Sequence, residues 1–168
     1  VASYYQSRVF RIDLANGNCD WSTSVLYPRN ISIAQNTLYG TGPYNMKTYN
    51  ISGATPSQIS CSWGGNLSSY ARYYGQTADY KRENYFVHYY RYIYRYTIGS
   101  NGCINTNYSS RMYVSSWYYS YGMDHHPSNE LILYGSDWRN HRVTKVTLNT
   151  SRNGYTAIKN IGRYGRNA

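Results

Sequence analysis

The alternation of apolar and polar residues along the chain predicts a protein made mainly of β-strands. Residues 142–148 (Arg-Val-Thr-Lys-Val-Thr-Leu) alternate most regularly, and residues 7–14 alternate in the same way before the polar segment 15–18. Residues 85–98 are rich in Tyr, Val and Ile and predict one long strand that ends at the Gly-Ser-Asn-Gly turn of residues 99–102. The short apolar run 130–134 predicts a further strand, followed by a turn at residues 135–137.

The other segments are less regular. Short strands are predicted at residues 58–63 and 111–117, whereas residues 20–57 are interpreted as loops with one helical turn at residues 32–35. A helix is predicted over residues 66–74, because Leu67, Tyr70, Ala71 and Tyr74 share one helical face. The tail at residues 162–168 is expected to fray. The pattern therefore predicts a single α+β domain, residues 1–168, in which strands dominate.

Composition points to a basic protein with a core rich in tyrosine. The 168 residues include 24 tyrosines, and the formal net charge is +10. Such a charge favours an anionic partner, such as a nucleotide, a nucleic acid or an acidic surface. The Arg91-Tyr92-Ile93-Tyr94-Arg95 segment would suit either a nucleic-acid stacking face or a strand with its tyrosines packed inward. The second interpretation is favoured.

Cysteine usage and possible glycosylation sites favour an extracellular protein. Three cysteines allow at most one intrachain disulfide with three alternative pairings, and their spacing fits no zinc site, so no metal site is expected. No stretch approaches 18 apolar residues, so no membrane span is expected. Glycosylation triplets of the Asn-x-Ser/Thr type occur five times, at Asn30, Asn50, Asn66, Asn107 and Asn149. Together these features predict secretion.

Glu130 is the candidate catalytic acid. It is one of two glutamates in the chain and opens the apolar run 130–134, and a carboxylate at the mouth of a buried strand is held rigidly. Position alone also fits a structural ion pair with Arg139 or Arg142. The order of motifs along the chain favours the catalytic interpretation.

Three motifs accompany Glu130 in sequence order. An arginine lies within Val9-Phe10-Arg11-Ile12-Asp13, and Ile59-Ser60-Cys61-Ser62 precedes the predicted helix. Tyr92-Ile93-Tyr94 follows, and Ser128 stands two residues before Glu130. Over residues 8–150 this order resembles the mono-ADP-ribosyltransferase toxins, the family of the cholera, heat-labile and pertussis A subunits.

The resemblance implies an ADP-ribosyltransferase-type fold, with two packed, mostly antiparallel sheets and a few short helices around an NAD cleft. It implies that the protein is a secreted toxin that cleaves NAD and transfers ADP-ribose to a macromolecule, either a host protein or a nucleic acid, with a separate delivery subunit as a further expected partner. The implied catalytic residues are Glu130 and Ser128, and the implied NAD-binding residues are Arg11, Ser60, Ser62 and Tyr70. Ser128 replaces the Glu or Gln of the family, so the acceptor stays open.

Two other functions compete with this prediction. A secreted basic ribonuclease could use Glu130 together with a histidine to cleave phosphodiesters. A non-enzymatic effector could instead present its tyrosines and tryptophans to a glycan, a nucleic acid or a host protein.

Overall fold

The structure is a computed structural model in which strands dominate. It describes residues 1–43, 45–62, 67, 75–115, 117 and 120–162, with Trp138 described through its backbone only. These residues form four antiparallel sheets, one after another along the chain. No helix among them is long and apolar enough to cross a membrane.

Each sheet is a consecutive hairpin series, which we call a blade, and the four blades are numbered in chain order. Blade 1 has three strands, and each of the others has four. The strands of blades 1 and 2 are β1 Ala2–Ser3, β2 Arg8–Ile12, β3 Cys19–Ser24, β4 Asn30–Ala34, β5 Thr37–Thr41, β6 Met46–Asn50 and β7 Ser57–Ile59. Those of blades 3 and 4 are β8 Gln76–Ala78, β9 Asn84–Tyr89, β10 Tyr92–Thr97, β11 Ser110–Tyr113, β12 Met123–His125, β13 Ile132–Asp137, β14 Arg142–Leu148 and β15 Tyr155–Ile161, with a 3-10 turn at Trp138–Asn140.

Among the described residues, three hydrophobic cores join the blades in sequence. Val9 and Trp21 of blade 1 pack on Leu38 and Tyr49 of blade 2. The other two cores lie between blades 2 and 3 and between blades 3 and 4, and include Tyr39, Tyr85 and Tyr96 in one and Phe86, Trp117, Leu133 and Val146 in the other. Tyrosine rings therefore fill much of the interior, with their hydroxyls bonded at its edges, as Tyr49 is to the Ser24 carbonyl at 2.6 Å.

The first strands of blades 2, 3 and 4 lie side by side. β8 contacts both β4 and β12, and a polar row crosses the three strands. Ser32 Oγ lies 3.4 Å from Thr77 Oγ1, which donates to Asp124 Oδ1 at 3.3 Å. Four-stranded antiparallel sheets arranged radially, with their first strands around a common axis, are the blades of a β-propeller. The described chain is thus an all-β, four-bladed β-propeller.

The predicted α+β class is therefore wrong. Residues 20–57 are not loops, because most of β3 and all of β4, β5 and β6 lie there. Of the segment interpreted as a helical turn, residues 32–34 end β4 and Gln35 lies in the turn that follows. In β4, Ile31 and Ile33 face blade 1 while Ser32 and Ala34 face blade 3. The predicted helix at 66–74 lies outside the described residues except for Leu67, which is helical.

Other strands differ from the prediction in their bounds or in their number. The long strand 85–98 is the hairpin β9–β10, because the chain reverses at Tyr90, whose φ of 54° is a left-handed turn conformation. The predicted turn at 135–137 is the second half of β13, and β15 was not predicted. The alternating segment 142–148 coincides with β14, so that prediction is confirmed.

Candidate functional site

The residues predicted to bind and cleave NAD lie in three different blades. Arg11 on β2 forms a structural ion pair with Asp20 at 3.1 Å on an exposed surface. Ser60 and Ser62 follow β7, Tyr70 lies outside the described residues, and Ser128 precedes Glu130 in the loop between β12 and β13. No contact among the described residues joins Arg11 or Ser60 to Glu130.

Glu130 instead ties blade 4 to blade 3. Its carboxylate accepts hydrogen bonds from the Lys81 ammonium at 2.9 Å and the Tyr80 hydroxyl at 2.8 Å. The Arg152 guanidinium, on the loop between β14 and β15, approaches it at 3.5 Å. The bond from Lys81, helped by Glu130's own backbone N–H and by Tyr80, lowers the pKa of Glu130 from 4.5 to about 2. A carboxylate held ionised in this way anchors the loops and is a poor proton acceptor at neutral pH.

We expect the contacts of the Glu130 carboxylate with Lys81, Tyr80 and Arg152 to weaken in acid. The pKa of Glu130 is lower in the folded than in the unfolded protein, so its stabilising effect is complete above pH 4.5 and is lost as the pH falls towards about 2. Replacing Glu130 by Gln should therefore lower the urea midpoint at pH 7, and the difference from wild type should shrink steadily between pH 5 and pH 2. The matched control is Asp20→Asn, which removes an exposed ion pair. A midpoint difference for Glu130→Gln that is the same at pH 7 and pH 2.5 would contradict this role.

The Lys81 and Tyr80 partners belong to a tight turn between β8 and β9 that Asp79 organises. The buried Asp79 carboxylate accepts bonds from the Glu83 backbone N–H at 2.8 Å and from the Asn84 side chain at 2.6 Å. Arg82 adopts a left-handed φ of 59°, and its backbone N–H bonds the Asp79 carbonyl at 2.9 Å. The turn thereby directs Tyr80 and Lys81 towards blade 4 and the Arg82 side chain towards blade 2.

Arg82 faces a cavity at the junction of blades 2 and 3, which we call the seam pocket. The cavity has a volume of about 370 Å³. Its described lining consists of four amide side chains, three hydroxyls, one cation and one apolar residue: Gln35, Asn36, Asn50, Asn101, Thr37, Ser52, Ser100, Arg82 and Ile59. Among these lining residues there is no carboxylate, imidazole or thiol.

The Arg82 guanidinium is held in place from both blades. It donates to Thr37 Oγ1 of blade 2 at 3.2 Å and to the Ser100 carbonyl of blade 3 at 3.0 Å. Guanidinium carries five N–H donors, so these two bonds fix its orientation and leave donors for a ligand. On the same side, Gln35 donates to the Lys81 carbonyl at 3.0 Å and so joins the pocket to the turn that holds Glu130.

The blade 3 wall of the seam pocket is a rigid turn at residues 99–103. Gly102 adopts a φ of 85°, and an added Cβ there would lie within 3.6 Å of Ile59, Arg82 and Thr37. The buried Tyr39 hydroxyl donates to the Gly102 carbonyl at 3.0 Å. A disulfide between Cys61 and Cys103 fastens this turn to the end of blade 2. Of the three alternative pairings, the structure thus has Cys61–Cys103, with Cys19 as an exposed free thiol.

The sequence did not predict the seam pocket, because the segments that line it have the composition of ordinary turns. Gln35-Asn36 and Ser100-Asn101 are polar turn segments, a pattern that marks loops throughout the chain. Their convergence depends on the packing of two blades, which residue spacing does not show.

Comparisons with known proteins agree on the fold. No family model and no curated protein matches the sequence. Among solved structures, the chain is similar to a 6-phosphogluconolactonase-like protein from Bacteroides fragilis, with 8% identity, a TM-score of 0.65, and coverage of 94% of this chain and 50% of that one. It is also similar to the β-propeller domain of Cps50 (Swd1) from Myceliophthora thermophila, with 10% identity, a TM-score of 0.58, and coverage of 85% and 48%.

A third similar structure is the hydrazine synthase of Kuenenia stuttgartiensis, with 11% identity, a TM-score of 0.59, and coverage of 94% of this chain and 44% of that one. The chain therefore spans about half the length of the solved structures that it resembles. Identities this low establish the fold alone.

The resemblance to ADP-ribosyltransferase toxins is wrong, because the structural neighbours are propellers and the blades share no architecture with that fold. The predicted transferase activity and its toxin role are wrong with it, and the ribonuclease and effector alternatives gain no support. NAD as a ligand, a macromolecular acceptor, a delivery subunit and secretion stay predictions.

Proposed function

We propose that this propeller is a binding domain whose seam pocket takes a small polyhydroxylated ligand that carries an anionic group, such as a sugar acid or a sugar phosphate. The observation that carries the proposal is the composition of the lining, in which amides and hydroxyls surround a single fixed guanidinium. A volume of about 370 Å³ suits a ligand of one or two sugar rings.

Arg82 supplies the contact for the anionic group. Guanidinium bonds carboxylates and phosphates through two parallel N–H donors, and such charged bonds are stronger than neutral ones. Thr37 of blade 2 and Ser100 of blade 3 hold the Arg82 guanidinium in place, so the Arg82 side chain loses little conformational freedom when a ligand binds. With no carboxylate among the described lining residues, no negative charge there opposes an anion.

The amides and hydroxyls supply the contacts for the rest of the ligand. Asn and Gln side chains both donate and accept hydrogen bonds, as the hydroxyl groups of a sugar do. The lining residues that the structure describes include no side chain suited to general acid–base catalysis, which supports binding without turnover.

We expect Arg82→Ala to weaken the binding of glucose 6-phosphate and glucuronate by about 10- to 100-fold, because one hydrogen bond to a charged group contributes about 1.5–3 kcal/mol. Isothermal titration calorimetry measures the change. Arg111→Ala, which removes an exposed charge on β11, is the matched control and should bind as wild type does. Asn36→Trp fills the pocket from an exposed position and should abolish binding.

Uncharged glucose and inorganic phosphate are the comparison ligands for this experiment. Each should bind more weakly than glucose 6-phosphate, because each meets only part of the lining. Equal affinities of Arg82→Ala and Arg111→Ala for glucose 6-phosphate would show that the seam pocket is not the binding site.

A further inference from the structure

A second cavity, of about 520 Å³, lies between blades 1 and 2, and we call it the apolar groove. Its described lining is apolar except for Arg11 and Asn36, and its aliphatic and aromatic walls include Phe10, Ile12, Leu14, Ile31, Ile33 and Ile51. Two of these side chains are well exposed, Ile33 by 55% and Leu14 by 98%. Exposed aliphatic side chains that gather in one groove mark a binding surface.

The apolar groove and the seam pocket meet at one end of blade 2. Asn36, in the turn between β4 and β5, lines both cavities. Ile51 lines the apolar groove, whereas its neighbours in the sequence, Asn50 and Ser52, line the seam pocket. The Ile51 backbone N–H donates to the Asn36 carbonyl at 2.8 Å, so these two meeting points are themselves in contact. A ligand that extends from the seam pocket over Asn36 therefore enters the apolar groove.

The two cavities differ in polarity and charge. The seam pocket holds the Arg82 guanidinium among amides and hydroxyls, whereas the walls of the apolar groove offer a surface from which an alkyl chain displaces water. Arg11, the one charged residue in the described lining of the groove, has its guanidinium paired with Asp20 at 3.1 Å. An anionic sugar that carries an alkyl chain is complementary to both cavities.

We propose that the ligand of this domain is an amphiphile, an anionic sugar with one alkyl chain, whose sugar binds in the seam pocket while its alkyl chain crosses Asn36 and lies in the apolar groove on Ile31 and Ile33. The inference rests on the sugar-binding function proposed above and adds the alkyl chain to the ligand. Ile31 and Ile33 stand two residues apart on β4, so both face the groove from the same side of the strand.

The sizes of the cavities fix how the amphiphile arrives. Each has the volume of a site for one small molecule, so the amphiphile binds as a single molecule from solution. Burial of the alkyl chain supplies much of the affinity, and Arg82 selects the anionic sugar.

The probe is octyl β-D-glucuronide, used below the concentration at which it forms micelles, and methyl β-D-glucuronide is its short-chain control. Both compounds carry the same carboxylate and ring hydroxyls, so the difference between their affinities measures the contribution of the alkyl chain. We expect octyl glucuronide to bind at least about 30-fold more tightly in isothermal titration calorimetry, because its additional methylene groups leave water.

Three protein variants separate the sugar site from the alkyl site. Ile33→Asp puts a charge in the groove at an exposed position, and it should remove most of the octyl advantage without changing the affinity for methyl glucuronide. Ile161→Asp is its matched control, because Ile161 is 47% exposed on β15 of blade 4, and it should bind both compounds as wild type does. Arg82→Ala should weaken both compounds by about the same factor.

Three outcomes would overturn the alkyl site and leave the sugar site standing, provided that Arg82→Ala still weakens methyl glucuronide. They are equal affinities of the wild type for the two compounds, an Ile33→Asp variant that keeps the octyl advantage, and tight binding that begins only where octyl glucuronide forms micelles. Failure of the proposed function gives a different result. An Arg82→Ala variant that binds both compounds as tightly as wild type, or a wild type that binds neither, would overturn both proposals.

Discussion

Replacing both Cys61 and Cys103 by alanine should lower the free energy of unfolding by about 4 kcal/mol. The bridge closes a loop with a sequence separation of 42 residues, and the chain-entropy relation for a loop of that length gives a value near this one. Urea unfolding of the oxidised wild type and the double variant measures the change. The Cys19→Ala variant is the control, because Cys19 is an exposed free thiol.

The same double variant should also lose affinity at the seam pocket. The bridge fastens the 99–103 turn to blade 2, and that turn carries the Ser100 carbonyl that orients Arg82. Loss of the bridge frees one wall of the pocket, so the binding of glucose 6-phosphate should weaken in parallel with stability. A double variant whose free energy of unfolding falls by less than about 1 kcal/mol would mean that blades 2 and 3 hold together without the covalent link.

Gly135→Ala should destabilise the protein by about 3 kcal/mol or more, at the upper end of the range for overpacked cores. Gly135 lies in β13 beneath the fully buried Trp117, and an added Cβ would overlap atoms of the indole ring. The ring cannot move freely, because it stacks on the buried His88 at a centroid distance of 4.5 Å and its N–H bonds the Ser136 carbonyl at 3.2 Å.

The matched control is Gly53→Ala, where the nearest atom to the added Cβ is 3.7 Å away. Thermal unfolding of both variants, followed by near-ultraviolet circular dichroism, reports the indole environment as well as stability. A Gly135→Ala protein as stable as Gly53→Ala would contradict the packing of Trp117 between blades 3 and 4.

The sequence predicted β14 with its bounds. β14 was found because its buried residues, Thr144, Val146 and Leu148, alternate with more exposed ones. All five residues of β5 are buried, so this strand packs on both sides and shows no alternation of apolar and polar residues. The loop interpretation of residues 20–57 failed at β5 for this reason.

The candidate site was harder to predict than the fold, because every contact in it joins distant segments. Glu130 stands out in the sequence as a rare carboxylate, but its ionic partners are Lys81 and Arg152, not the Arg139 or Arg142 of the structural alternative. Arg82 had no distinguishing feature in the sequence. Its role depends on Thr37 and Ser100, which come from two different blades.

The central claim is that the seam pocket between blades 2 and 3 binds a polyhydroxylated anion through Arg82. The most direct measurement is a titration of isotope-labelled protein with glucose 6-phosphate, followed by the NMR signals of the backbone amides, the side-chain amides and the arginine Nε–H groups. The account predicts saturable shifts concentrated at Arg82 and at the side-chain amides of Gln35, Asn36 and Asn101. Saturable shifts centred on another part of the propeller, or no saturable shifts at all, would contradict it.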